Sequence, residues 1–321
     1  ASAKPVYNFF VEQSEALKPN YLSMIMPARW YAGGKGLDDF RNMMLNDIHI
    51  KDFHDFVNPD ELFPGTNIRG GLCFFLWDSN YDNTENLTFV HTHNNDEIKT
   101  IKRHMQIKGS ETFIRYSMAV GILEKINNKA AQFMSSYISP RKPFGLEGNI
   151  IKTSIYKETD IEMNDPIKCY GKAKAVGYIE RSKIKSHQEM IDVWKVYMPY
   201  ANNIGTELND DNQNTFVGEP NSVCTETFIV AGATLNLNQN SATNLSMYLR
   251  TKFARLLLSL AKCSQHGTSK TYCYVPMQDF SSQSDIDWSK SVSDIDQQLY
   301  RKYGLSEEEM EFVESMIKPM E

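Results

Sequence analysis

Residues 5–45 read PVYNFFVEQSEALKPNYLSMIMPARWYAGGKGLDDFRNMML, and this stretch decides the fold class. Residues 5–17 place apolar side chains at helical spacing after Pro5, which suits a first helical turn. Residues 21–27, YLSMIMP, form a short apolar run that ends at a proline, as a buried strand does. In residues 36–45 the apolar side chains again recur on one helical face. The stretch therefore predicts a helix, a strand and a second helix.

The segments that follow extend this alternation. Residues 48–56, IHIKDFHDF, have the pattern of another strand. Residues 70–78, GGLCFFLWD, and residues 86–92, NLTFVHT, flank a polar turn and predict two strands joined as a hairpin. Helices and strands that alternate in such short units indicate an α/β sheet, here with an antiparallel hairpin at one edge.

Length and composition limit the class of protein. The 321 residues suit about two domains of roughly 150 residues each, and 41% hydrophobic with 23% charged residues is a globular profile. No apolar run approaches the ~18 residues of a membrane span, and the most apolar helical stretch, residues 253–261, contains Arg255. We therefore expect no membrane partner.

The net charge of −6, taken alone, argues against a nucleic-acid partner. The distribution of the charge along the chain changes this conclusion. Residues 276–321 hold eleven acidic and four basic side chains, a balance of −7. Residues 1–275 hold 30 basic and 29 acidic side chains, a balance of +1. The acidity belongs to the C-terminal segment, and the remainder is compatible with a DNA or RNA partner.

Cysteine usage and the N-terminus indicate the compartment. The five cysteines are odd in number and form no CxxC pair, which favours reduced thiols in the cytoplasm. The first residues lack the basic and then apolar layout of a signal peptide. Because the chain does not begin with Met, we expect either a removed start Met or a piece of a longer protein.

Two short motifs resemble a phosphate-binding loop and a metal site, but neither matches a known motif of that kind. Residues 28–36, ARWYAGGKG, lack the spacing of both GxxxxGK[ST] and GxGxxG, so they predict a loop whose basic rim is Arg29 and Lys35. His91 and His93 lie two apart with no cluster of other ligands, and we expect no metal. No triad, nucleophile elbow or pair of catalytic carboxylates is evident, so no catalytic residue is assigned.

Basic residues interleaved with tyrosines mark the middle of the chain. They occur in the proline-rich loop 139–149, in residues 168–185 and in residues 245–275, the last of which contains no acid. Such segments suit phosphate contacts and base stacking. The alternative is the ordinary charged outer face of helices, and it is strongest in residues 246–262, where a leucine stripe accounts for the pattern.

Eight segments, taken in order, resemble the adenine-specific DNA methyltransferases of restriction–modification systems, in particular the gamma-class, TaqI-like group, which includes fused restriction–modification polypeptides. The resemblance runs from residue 1 to 321. The segments are PVYNFFVEQ, YLSMIMPARWYAGGKGLDDFR, FPGTNIRGGLCFFLWD, SPRKPFGL, EPNSVCTETFIV, TKFARLLLSLAK, YVPMQDF and LYRKYGLSEEEMEFVESMIKPME.

The resemblance implies an α/β fold: a partial Rossmann-like methyltransferase sheet followed by an α+β TaqI-like specificity domain. It places the catalytic-domain part at 1–108, the target recognition domain at 109–275 and an acidic docking segment at 276–321. The family binds S-adenosylmethionine on a Gly-rich loop and grips adenine with an Asn-Pro-Pro-Tyr motif, and this chain has neither. We therefore expect the C-terminal portion of the enzyme, inactive and without bound S-adenosylmethionine by itself, with double-stranded DNA and the missing N-terminal half as partners.

The resemblance also implies site residues. An aromatic near the end of the strand after FP stacks on the flipped adenine, and the matching position is Phe75, with Trp77 as the fallback. The residues expected to contact DNA are basic and lie in the loops and segments above: Arg29, Lys35, Arg141, Lys142, Lys172, Lys174, Lys262 and Lys270.

Two other functions remain open on the residues alone. The chain could be a stand-alone specificity subunit that works with a separate catalytic chain, or a protein–protein module without a DNA role.

Overall fold

The computed structural model describes residues 4–34, 36–66, 68, 70–94, 97–202, 204, 213–262 and 266–320. The chain forms two compact units, residues 1–124 and 125–321. The boundary falls inside a helix, whereas the sequence placed a boundary at residue 108, and residues 276–321 are part of the second unit.

The first unit alternates helices and strands, and those expected at 5–17, 21–27, 36–45 and 48–56 are confirmed. In chain order its elements are α1 (Tyr7–Ala16), β1 (Tyr21–Pro27), α2 (Asp38–Asn46), β2 (Ile50–Phe56), β3 (Leu72–Asp78), the single turn α3 (Asn83–Asn86), β4 (Thr88–Asn94), β5 (Glu97–Arg103) and α4 (Ser117–Lys129), which crosses the boundary.

The five strands form one mixed sheet in the order β1-β3-β2-β4-β5. β3 is antiparallel to both β1 and β2, β2 is parallel to β4, and β4 and β5 form an antiparallel pair. The expected hairpin between residues 70–78 and 86–92 is therefore wrong, because β3 and β4 are not neighbours. The apolar β3 suits an interior position, whereas the exposed, lysine-containing β5 suits an edge.

The two faces of this sheet differ. One face, bearing Phe53 and Phe75, packs with Trp30 and with Phe40 of α2 into a single buried core. The other face bears half-buried side chains, among them His54 and Phe74, whose rings stack 4.2 Å apart. The alternation of side chains along each strand produces this difference.

The second unit combines short strands with a group of helices. In chain order its elements are β6 (Pro166–Tyr170), β7 (Val176–Glu180), β8 (Lys195–Pro199), β9 (Phe216–Gly218), β10 (Ser222–Cys224), β11 (Phe228–Ala231), α5 (Gln239–Arg250), α6 (Lys252–Leu260), α7 (Val292–Tyr303) and α8 (Glu307–Met316).

Two three-stranded sheets, β10-β6-β7 and β11-β8-β9, share one core in the second unit. Ile167 and Val223 come from the first sheet, and Tyr197 and Val230 come from the second. The core fixes the loops between these strands, which matter for the site below.

The helices of the second unit pack around α6, which contacts α5, α7 and α8. Asp296 of α7 accepts hydrogen bonds from the backbone N–H groups of Lys252 and Phe253, and so caps α6 from a neighbouring helix. Ser306 and Glu309 form a capping box that begins α8. No helix in the described part of the chain is both long and apolar enough to cross a membrane.

Candidate nucleic-acid interface

The carboxyl ends of three strands meet at one edge of the sheet in the first unit. β1, β2 and β4 are parallel to one another because β3 is antiparallel to its two neighbours and β2 is parallel to β4. The loop 28–37 follows β1, and the loop 57–71 connects β2 to β3 at the same edge. Loops at the carboxyl ends of strands are where sheets of this kind bind their ligands.

A buried polar network ties these two loops to the end of β2. Asp55 is fully buried, and its carboxylate accepts a hydrogen bond of 2.8 Å from the Tyr31 hydroxyl. The Arg115 Nε atom lies 2.8 Å from the other carboxylate oxygen. Arg115 also donates to the Gly70 carbonyl at 2.8 Å, so one side chain holds both the strand end and the loop.

The backbone conformation at the end of the second loop requires its pair of glycines. Gly70 and Gly71 have φ angles of 90° and 91°, a region that favours glycine. A Cβ atom on Gly71 would lie 2.5 Å from the Phe56 carbonyl oxygen. The Ala28 N–H donates to the Gly71 carbonyl at 3.0 Å, which joins the two loops directly. The edge is therefore held by its backbone as well as by the Asp55 network.

The residues expected to stack on a base, Phe75 and Trp77, both lie in the core of this unit. Phe75 has no exposed surface. The buried Trp77 ring donates from Nε1 to Asp47 at 3.0 Å. A base must reach the face of the ring on which it stacks, so these positions favour a packing role for both side chains.

The sequence did not predict one exposed aromatic residue at this edge, Phe63. Phe63 lies in the loop 57–71, is 44% exposed, and belongs to the quoted FPGT segment. The available signal was that an apolar residue in a loop has no strand or helix face to bury it. Of the two basic residues expected here, Arg29 is half-buried and Lys35 lies outside the described residues.

In the second unit, Arg141 and Lys142 lie in the loop after residue 138 and each pairs with a glutamate. Arg141 Nη2 is 2.7 Å from Glu226 Oε2, and Lys142 pairs with Glu147. A hydrogen bond from the Gly148 N–H, together with the Arg141 charge, lowers the pKa of the Glu226 carboxyl. Glu226 is therefore a stable anion beside the guanidinium.

Arg141 also joins an aromatic group drawn from distant parts of the chain. Its guanidinium lies 5.0 Å from the ring centroid of Tyr200, and the Tyr200 ring stacks on that of His266 at 4.8 Å. We call Arg141, Tyr200 and His266 the recognition column. Tyr200 and His266 escaped the sequence reasoning, and no spacing could have found them because three separate loops supply the three side chains.

The remaining basic residues divide into exposed and buried ones. Lys172 is exposed at the turn between β6 and β7, where the side chain of Lys174 lies outside the described part. Lys270 is exposed in a helical turn. Lys262 instead is buried, and its ammonium donates to the carbonyls of Asn202 at 2.6 Å and Ile204 at 3.2 Å, which favours a structural role.

Comparison with known proteins supports part of the family resemblance that the sequence suggests. Residues 1–63 match the family model "Eco57I restriction-modification methylase". An uncharacterized adenine-specific methylase of Mycoplasma pneumoniae is 28% identical over 149 residues, which cover 44% of this chain and 35% of that protein. The chain thus spans about a third of the length of this curated relative.

Two solved structures of restriction–modification enzymes are similar to the chain. The type IIG restriction endonuclease BpuSI has a TM-score of 0.35 and 12% identity, with 86% of this chain and 42% of that chain covered. The type IIL restriction–modification enzyme MmeI in complex with DNA has a TM-score of 0.46 and 8% identity, with 92% and 49% covered. The family match is thus confined to residues 1–63, and a curated relative to which the chain is similar is named an adenine-specific methylase.

Proposed function

We propose that this chain is the C-terminal part of a gamma-class DNA adenine-N6 methyltransferase of a restriction–modification system. The first unit supplies the last strands of a Rossmann-like catalytic sheet, and the second unit is a TaqI-like domain that recognises the DNA target. The observation that carries the proposal is the match of residues 1–63 to a methylase family over α1, β1, α2 and β2.

An open edge of the first sheet supports a catalytic partner half. Among the described residues β1 pairs only with β3, so its other edge presents unpaired backbone groups. An apolar side chain on this strand is also exposed, since Ile25 of β1 is 46% exposed. A strand of the partner half, added beside β1, would pair with the open backbone groups and cover part of the Ile25 side chain.

The proposal assigns S-adenosylmethionine to that partner half, where it would supply the methyl group. The sequence contains neither the family's Gly-rich loop nor Asn-Pro-Pro-Tyr. At the described edge of the sheet, the buried carboxylate of Asp55 is already engaged by Tyr31 and Arg115 and is unavailable to a ribose hydroxyl. The described residues at this edge therefore do not fit the cofactor.

At the same edge, Phe63 is the aromatic whose exposure suits stacking on a flipped adenine. Extrusion of a base costs a few kcal/mol of unstacking, and a stacking partner recovers part of this. The Phe63 ring is accessible without any rearrangement of the core, whereas the Phe75 ring is fully buried. We assign the stacking role to Phe63.

DNA contact by the second unit rests on its exposed basic residues. The recognition column, Lys172 and Lys270 supply cationic and planar groups of the kind that contact phosphates and bases.

The proposal also places the protein in the cytoplasm. The buried thiols of Cys73, Cys169 and Cys224 suit such a reducing compartment.

The test measures DNA and cofactor binding separately. The purified chain should bind duplex DNA with an affinity that falls steeply with salt, because phosphate contacts release counterions. It should neither bind S-adenosylmethionine nor methylate DNA until the partner half is added. Tight binding of S-adenosylmethionine by the chain alone, or failure to bind duplex DNA at low salt, would refute the proposal.

A further inference from the structure

The loop that carries Arg141 is held rigidly to the core of the second unit. Ser139 exchanges two hydrogen bonds with Val230, from its N–H to the carbonyl at 2.8 Å and from the Val230 N–H to its hydroxyl at 2.9 Å. Phe144 is buried on the other side of Arg141. Lys142 adopts a φ of 55°, a conformation that costs energy for a residue with a side chain. Strain of this kind persists where the surrounding structure imposes one loop geometry.

The side chain of Arg141 is held as firmly as its backbone. Glu226 binds Nη2 at 2.7 Å, and the Tyr200 ring lies against the guanidinium at 5.0 Å. Glu226 is itself fixed, because it accepts from the Gly148 N–H at 3.2 Å and its own N–H donates to Leu146 at 2.9 Å. The guanidinium is thus oriented before any ligand arrives, and little rotamer entropy remains to be lost on binding.

Arg141 nevertheless keeps donors for a ligand. A guanidinium has five N–H groups, and in the described part of the chain Glu226 is the acceptor that Arg141 reaches. Arg181 shows the opposite case, since Asp165, Asp192 and Asn221 accept from it together. The Arg141 side chain is 55% exposed, so its remaining donors face solvent. Arg181 stabilises a surface, whereas Arg141 can still bind an acceptor.

The recognition column continues beyond the arginine as a set of planar groups. The rings of Tyr200 and His266 are inclined by 24° and stack at 4.8 Å. The loops of these two residues are joined by a hydrogen bond of 2.7 Å from the Gly267 N–H to the Tyr200 carbonyl. A fixed arginine next to stacked rings suits the edge of a nucleobase better than a phosphate, which requires charge but no planar surface.

We propose that Arg141 reads a guanine in the DNA target, with Glu226 as its positioning residue and Tyr200 and His266 as the supporting platform. This inference rests on the proposed function. Arginine donates two hydrogen bonds to O6 and N7 of guanine, a pair of acceptors that no other base presents in the major groove. The target sequence therefore contains a guanine whose recognition depends on Arg141.

The experiment selects duplexes from a random DNA library with the wild-type chain and with three variants, Arg141→Ala, Arg141→Lys and Glu226→Gln. Lys290→Ala, which removes an exposed charge at a distant position of the sequence, is the control. The wild-type chain should enrich a motif that contains guanine. Arg141→Ala should reduce the preference at one guanine roughly 5- to 150-fold and leave the other positions of the motif unchanged.

The conservative variants distinguish recognition of the base from a contribution of positive charge alone. Arg141→Lys keeps the charge but not the paired donors, so it should lose the same preference while it keeps most of the overall affinity. Glu226→Gln should weaken the preference at the same position, because it releases the guanidinium. The control should enrich the wild-type motif.

Three results would overturn the inference. An unchanged motif in Arg141→Ala would show that another group reads the guanine, and an even loss of affinity for all sequences would show a phosphate contact. Full rescue by Arg141→Lys would show that charge alone suffices. If the wild-type chain binds no DNA, the proposed function itself fails. If the wild-type chain enriches a motif that does not depend on Arg141, only the inference about Arg141 fails.

Discussion

The Nε atom of Arg115 lies 2.8 Å from the carboxylate of Asp55, a side chain with no exposed surface. Burial lowers the pKa of the Arg115 guanidinium, but electrostatic interactions with Asp55 and then with Tyr31, Tyr116 and Cys73 together more than offset this, so its pKa is raised and it remains charged. The pair joins the end of β2 to Gly70 and, through Tyr31, to the loop after β1. The ion pair therefore stabilises the edge of the sheet alongside the backbone hydrogen bond between Ala28 and Gly71.

Replacement of both partners of this ion pair should cost less stability than the two single replacements added together. Arg115→Met leaves the Asp55 carboxylate buried without a counter-charge and should lower the free energy of unfolding by about 3–5 kcal/mol. Asp55→Asn combined with Arg115→Met should cost less than the sum of the single changes. Urea unfolding of the four proteins measures this. Additive losses would show that the two side chains act independently.

Periodicity predicted α1, α2 and the strands β1 to β4 of the first unit, but it predicted neither β5 nor the order of the strands. The segments 5–17, 21–27 and 36–45 are each defined by local spacing, which the sequence displays directly. The position of β3 between β1 and β2 depends on pairing with a strand far earlier in the chain, with Met24 opposite Phe75, and a local pattern carries no signal for such pairing. Neighbouring strands along the chain were therefore paired wrongly.

Composition likewise found basic residues without showing where their charges lie. Lys262 and Lys270 occur in the same acid-free segment, yet one ammonium is buried among carbonyl groups and the other is exposed. Tyr200 and His266 meet Arg141 only after the sheets and loops have formed. Tertiary contacts, and not residue type, distinguish the structural from the candidate binding residues.

Lys262 and Lys270 should respond in opposite ways to substitution. Lys262→Met leaves buried carbonyl oxygens without a donor and should lower the free energy of unfolding by about 1–3 kcal/mol or more. Lys270→Ala should leave stability unchanged, weaken binding to all duplexes evenly and reduce the slope of log affinity against log salt by about one. Thermal unfolding and salt titrations of DNA binding test both. Loss of stability in Lys270→Ala with normal DNA binding would reverse the two assignments.

Stability should depend on pH through the histidines on the half-buried face of the sheet. Burial, and then the neighbouring His91 and His93, lower the pKa of His54 to about 4, below the ordinary value of 6.5. The unfolded chain then binds more protons than the native one between these two values, so the free energy of unfolding should fall as the pH falls from about 6.5 towards 4.

A variant isolates this contribution. His54→Phe keeps a ring that can stack on Phe74, but it cannot take up a proton. The loss of stability between pH 7 and pH 5 should be smaller in His54→Phe than in the wild type, whereas a substitution at the exposed His104 serves as the control. Equal pH dependence in the wild type and His54→Phe would exclude His54 as the source.

Substitutions of Phe63 and Phe75 should separate catalysis from packing in the proposed complete methyltransferase, in which this chain is joined by its partner half. Phe63→Ala should reduce methylation and leave the unfolding of this chain unchanged, because the ring is 44% exposed. Phe75→Ala should instead lower the free energy of unfolding by about 3–5 kcal/mol through a cavity in the core. Wild-type methylation by Phe63→Ala would remove it from the base pocket. A stable but inactive Phe75→Leu protein would restore the stacking role to Phe75.

Two exposed isoleucines test where the proposed partner half would bind. Ile25 on β1 and Ile98 on β5 occupy the two opposite edges of the same sheet and are 46% and 61% exposed. Ile25→Lys should weaken association with the partner half at least tenfold, because a buried lysine without a counter-charge opposes the added strand. Ile98→Lys should leave association unchanged, and neither change should alter the unfolding of the chain alone. Titration of the two purified halves measures the affinity. An equal effect at both edges would mean that β1 is not the joining strand, and the open edge would then need another occupant.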